Sequence, residues 1–211
     1  MTLTMTAPEI RTFAALELRA AKNDAGLYSE LIGRAVPYRE FAMVGWYAEA
    51  FERGAFDKSI EESAKALPLL MWHNNETWPI GAAVDWRSGL DALDGTWELD
   101  DSAEAQRAAQ LADRGYLTGL SVGYVPLRSE WEFVADGEWD PNLGIDHVDK
   151  VTRVESRLAE VSLSPTPRYA GASVVLVRSS DRPATRRNWA RLDRAEVSAW
   201  RTYLDEVRAE V

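Results

Sequence analysis

The stretch Gly119-Leu120-Ser121-Val122-Gly123-Tyr124 narrows most sharply what this chain can fold into. Leu120, Val122 and Tyr124 alternate, as one face of a half-buried strand requires. Gly119, Ser121 and Gly123 take the other face. Glycine weakens a strand from within and marks a close approach by another backbone or a ligand. Two glycines around a serine clear space at its Oγ, which suits a nucleophile that meets an extended peptide. A serine on an edge strand beside ordinary bulges has the same residues. The surrounding chain has to separate the two.

That chain reads as strand-rich. Residues 12–21 are apolar and read as a strand, and residues 23–26 as a turn. Strands follow over 28–36, 67–73, 80–86, 90–99 and 119–127, with Ser88-Gly89 as a turn. Residues 41–52 are aromatic-rich and irregular. After Gly54, residues 55–66 read as a helix with Phe56, Ile60 and Ala64 on one stripe. Asp101 with Glu104 makes a capping-box start for a second helix, which runs to Arg114 and stops at Gly115. Residues 130–134 and 148–154 read as strands around a long polar loop, 135–147. Residues 157–163 and 173–177 supply the last strands. These elements make one α+β domain, residues 1–178, around a barrel or sandwich. Residues 179–190 are polar and basic and read as a linker. Residues 191–211 read as an amphipathic helix with a stripe of Leu192, Trp200, Tyr203, Leu204 and Val207.

Composition removes several functions. The chain has no cysteine, so disulfides and thiolate catalysis are out, and a reducing compartment is expected. No apolar run reaches the roughly 20 residues of a membrane span, and the first residues lack the pattern of a signal peptide. A net charge of −10 disfavours direct nucleic-acid binding. There is no phosphate-binding glycine loop and no metal-ligand spacing, so neither cofactor nor metal is expected.

With two histidines in the chain, a catalytic imidazole is His73 or His147. His73 stands at the exit of an apolar strand, where a ring is both partly buried and reachable. His147 lies among Asp146, Asp149 and Lys150 in the polar loop. Glu160 sits between apolar neighbours in a strand and shares a face with Ser162. A buried carboxylate needs a partner, and one such partner is an imidazole that it orients. Gly119–Gly123 also fits G-x-S-x-G, the nucleophile elbow of α/β-hydrolases. That elbow needs a helix after the serine and a histidine late in the chain. Here a β-like segment runs into Pro126, and His73 comes first.

Four segments in order resemble the prohead maturation proteases of tailed bacteriophages. They are Phe51-Glu52-Arg53-Gly54-Ala55-Phe56, then Leu69-Leu70-Met71-Trp72-His73-Asn74 with Pro79-Ile80-Gly81. The third is the serine segment, and the fourth is Leu158-Ala159-Glu160-Val161-Ser162-Leu163 followed by Pro165, Pro167 and Ala170. The resemblance covers residues 28–178. It implies a bent antiparallel β-barrel surrounded by helices, related to the herpesvirus assemblins. It implies a serine endopeptidase with Ser121 as nucleophile, His73 as base and Glu160 as third member. Herpesvirus relatives use a second histidine there, and His147 is the one candidate. An oxyanion hole of backbone N–H groups is required, with Arg128 as a further contributor. The implied substrates are the phage major capsid protein and its scaffold segment, inside the assembling prohead in the host cytoplasm. A homo-oligomer stays open. The C-terminal helix either targets the protease to the shell and is removed by self-cleavage, or it completes the domain core. Two other readings remain: a non-catalytic capsid-assembly or scaffolding module of the same fold, and an unrelated serine hydrolase.

Overall fold

The computed structural model describes residues 27–178. The strand and turn expected at 12–26, and the linker and helix expected at 179–211, lie outside the described residues.

Nine strands form one sheet. They are β1 (Glu30–Pro37), β2 (Ala42–Val44), β3 (Tyr47–Phe51), β4 (Pro68–Met71), β5 (Gly81–Ser88), β6 (Ala92–Leu99), β7 (Gly119–Glu132), β8 (Lys150–Ser164) and β9 (Ser173–Arg178). Seven of them close on themselves in the order β8-β4-β5-β6-β1-β9-β7 and back to β8. Closure removes the open edges that a sheet of this size would otherwise expose. The interior is filled by residues that alternate along each strand. On β6, Leu93, Trp97 and Leu99 point inward with Gly95 between them. Leu31, Leu69, Leu120, Val161 and Leu163 meet them from the other strands, all fully buried.

Two expectations about this barrel need correction. It is mixed rather than antiparallel, because β8 runs parallel to both β3 and β4. Nor is it surrounded by helices: among the described residues there are two, α1 (Asp57–Glu61) and α2 (Ala103–Asp113), besides two short 3-10 turns. α2 turns a stripe of Ala105, Ala108, Ala109 and Ala112 to the core, the spacing of one helical face. Its cap is Ser102, whose Oγ accepts from the Ala105 N–H at 3.3 Å, not Asp101. α1 is far shorter than 55–66. Phe56 and Ile60 find the core, but residues 61–66 are exposed and the chain must straighten so that Leu67 can enter it.

The 15-residue strand β8 holds the molecule together. Along one edge it pairs with β7 from Lys150 to Ser164. Along the other, its first part pairs with β3 and its last part with β4. Three register shifts in the β7–β8 ribbon bend it. One end belongs to the barrel, and the other carries the β2–β3 hairpin, which turns at Gly45 with φ +66°. Thus residues 41–52 are a hairpin rather than irregular. The segments expected as four strands at 119–127, 130–134, 148–154 and 157–163 are two long ones. The loop between them holds 3-10 turns at Pro141–Leu143 and Ile145–His147.

Candidate active site

The site grows from the β7–β8 register. Ser121 faces Ser162 and Gly123 faces Glu160. Directly opposed residues of antiparallel strands share a face, so these four positions form one small patch. β4 lies on the far side of β8, with Leu70 paired to Ser162 and Met71 to Leu163. Beyond Met71 the chain turns through two left-handed residues, Trp72 with φ 54° and His73 with φ 56°. Side chains with a Cβ adopt this region rarely, and such strain persists only where surrounding bonds fix it. Here the Trp72 N–H donates to the Leu163 carbonyl at 3.1 Å, and the His73 N–H donates to Ser162 Oγ at 2.9 Å. The turn lays the imidazole back across β8 toward β7.

Ser121, His73 and Glu160 then fall in one hydrogen-bonded line. His73 Nε2 is 2.9 Å from Ser121 Oγ, and His73 Nδ1 is 2.5 Å from Glu160 Oε1. The carboxylate can only accept, so Nδ1 carries the ring proton and Nε2 of the neutral ring is left to accept from the serine hydroxyl. The Glu160 side chain is 5% exposed and that of His73 is 42% exposed. The acid is thus sealed in while the imidazole faces the outside. Ser162, fully buried, donates to Glu160 Oε2 at 2.7 Å.

The two glycines serve different neighbours from the expected peptide. A Cβ at Gly123 would stand 2.3 Å from Glu160 Oε1, and one at Gly119 would stand 2.4 Å from Pro167 Cδ. The space they leave is filled by Glu160 and Pro167, both from the fourth of the resembling segments.

His147 and Arg128 lie elsewhere. His147 ends a 3-10 turn before β8 begins, whereas Glu160 is near the other end of that strand. Arg128 is exposed and pairs with Glu155, seven residues along β7 from Ser121, or about 20 Å at strand spacing.

A cavity of about 160 Å³ opens at Ser121, walled by Val44, Tyr124, Arg168 and Tyr169 with Glu49 at its base. Glu49 is buried and paired: Arg153 Nε donates to its Oε2 at 2.8 Å and Tyr169 OH to its Oε1 at 3.0 Å. Burial pushes the Tyr124 and Tyr169 hydroxyls well above their ordinary pKa, and the Glu49 charge adds to the effect. The sequence does not mark the Glu49–Arg153 pair, since neither residue stands in a motif. A larger cavity of about 370 Å³ lies between α1 and β8, around Lys58 and Leu127, and includes none of the three residues in line. Among the described residues no group of three or more His, Asp or Glu could hold a metal, and no helix is long and apolar enough to cross a membrane.

A barrel whose wall carries a serine, an imidazole and a buried carboxylate in sequence has the makings of a serine hydrolase. Residues 15–186 match the caudovirus prohead serine protease family, and the chain belongs to that family. It is therefore a serine protease of capsid maturation, active within the assembling capsid. Similar solved structures include the protease of Kaposi's sarcoma-associated herpesvirus with a hexapeptide phosphonate inhibitor. That likeness has 14% identity and a TM-score of 0.40, over 84% of this chain and 77% of that one. The same viral protease with an allosteric inhibitor is similar at 14% identity and TM-score 0.39, over 84% and 91% of the two chains. No curated protein matches.

Proposed function

We propose that this chain cleaves scaffold and capsid proteins in the prohead with Ser121 as nucleophile, His73 as general base and Glu160 as the group that orients the imidazole. The supporting observation is the unbroken line from Ser121 Oγ through His73 to Glu160, at 2.9 and 2.5 Å.

In this mechanism Ser121 Oγ attacks the scissile carbonyl while His73 Nε2 takes its proton. Glu160 holds the Nδ1 proton and stabilises the imidazolium. His73 then protonates the leaving amine, and water repeats the sequence on the acyl-enzyme. Arg168, the cation lining the cavity at Ser121, supplies a positive field beside the developing oxyanion. The side chain next to the scissile bond enters that cavity. The host cytoplasm is the compartment, and the substrates are the phage major capsid protein and its scaffold segment. The segment after residue 178 is a further substrate in the same proposal: its polar composition makes self-removal accessible.

Ser121→Ala is the test. Turnover of purified capsid and scaffold protein by the full chain should fall on the order of a million-fold, as in nucleophile knockouts of serine proteases. Circular dichroism should be unchanged, and a fluorophosphonate should label the parent protein and not the variant. Turnover within tenfold of the parent would remove Ser121 from the role.

A further inference from the structure

Ser162 has no assigned role, yet it touches two of the three parts of the site. Its hydroxyl accepts from the His73 backbone N–H at 2.9 Å and donates to Glu160 Oε2 at 2.7 Å. The residue is fully buried, so no water competes for either bond. Its place is set twice by strand pairing, opposite Ser121 on β7 and beside Leu70 on β4. The two bonds act on different unknowns. The first ties down the left-handed turn at Trp72 and His73, a conformation that two bulky side chains do not keep unaided. The second fixes which Glu160 oxygen is spent on the protein and which is left for His73 Nδ1. A hydroxyl can accept and donate at once. Alanine can do neither.

From this geometry we infer that Ser162 is the positioning residue of the site: one hydroxyl locks the backbone of the base and the carboxylate of its partner into mutual register. This rests on the roles proposed above for Ser121, His73 and Glu160. Ser162 does not touch substrate, and its effect passes through His73 and Glu160 alone. Its removal therefore loosens their alignment and leaves the substrate cavity, which it does not line, as it was.

The experiment compares Ser162→Ala and the near-isosteric Ser162→Cys in the parent and in a Glu160→Gln background, using the full chain and a peptide substrate. Ser162→Ala should lower kcat about 100-fold, the scale of an ångström-sized misplacement, with KM within threefold. Cysteine, a weak donor and acceptor, should fall between serine and alanine. In the Glu160→Gln background either substitution should cost at least threefold less than in the parent, because the carboxylate half of its effect is already gone and residues that act as a unit are not additive. A purely structural residue would cost as much in both backgrounds, and that result overturns the inference. So does a parent-like kcat in either variant. If Ser162→Ala does not fold, the cysteine pair alone decides by the same criterion. Should Ser121→Ala remain active, the underlying roles fail. If Ser121→Ala is dead and the Ser162 variants are unimpaired, this inference alone is wrong.

Discussion

At the scale of single residues, the two glycines beside Ser121 make opposite predictions. An alanine at 123 places its Cβ against Glu160 Oε1, the far end of a side chain that must give up its bond to His73 to move aside. The barrel survives and the alignment does not. Gly123→Ala should lower kcat about 100-fold with an unchanged melting temperature. An alanine at 119 meets the Pro167 ring, which cannot swing. Gly119→Ala should lose stability, by about 1 to 3 kcal/mol as for other overpacked sites. Thermal melts and single-turnover kinetics on both variants check this. If Gly123→Ala melts early with full activity per folded molecule, the space it keeps is structural. Ser121, His73 and Glu160 were legible because each is an unusual residue for its place and stands in a segment that resembles a family motif. Ser162 was not. A serine in a strand carries no signal, and its partner on His73 is a backbone N–H that no sequence pattern marks.

At the scale of elements, the β2–β3 hairpin brings Val44 and Glu49 to the cavity at Ser121. Val44→Trp should fill that cavity from the hairpin without touching the hydrogen-bonded line. For a peptide substrate, KM should rise about tenfold or more, the range for mis-sizing a specificity pocket. A small fluorophosphonate should still label Ser121 at a near-parental rate. Unchanged KM would place the peptide elsewhere. This hairpin was illegible beforehand because its second strand buries Ala48, Glu49, Ala50 and Phe51 in succession, which erases the alternation. β7 and β8 were each split in two for a related reason. The shifts around Pro126, Arg128 and Ser129 reset the alternation mid-strand, and a reset looks like a break. The α1 helix was overextended because local spacing cannot tell that Leu67 is needed in the core.

At the scale of the whole molecule, the buried tyrosines set an upper pH limit. Burial, and then the Glu49 charge, raise the pKa of Tyr124 and Tyr169, and burial also raises Tyr28 and Tyr38. Unfolded tyrosine titrates near 10, about where free phenols do. Above that pH the unfolded chain holds fewer protons than the native one, so stability falls as pH rises. Stability should be level up to about pH 10 and then decline by about 1.4 kcal/mol per pH unit for each of Tyr124 and Tyr169. Urea midpoints from about pH 8 to pH 11 measure it, and Tyr169→Phe should make the decline shallower. A midpoint that holds steady beyond pH 10 would contradict the burial of these hydroxyls.

The double pairing of β8 along one edge also has a consequence in time. β3 and β4 precede it in the chain, and both have it as their parallel neighbour. Parallel partners far apart in sequence form late. On a translating ribosome, Ser121 and His73 are made well before Glu160 and Ser162, and until then β4 has only β5 beside it and the His73 turn lacks its bonds to Ser162 and Leu163. A chain that ends before β8 therefore lacks Glu160, Ser162 and the partner strand that β4 and β7 share. With the roles proposed above, the hydrogen-bonded line from Ser121 to Glu160 can assemble only after synthesis has passed β8.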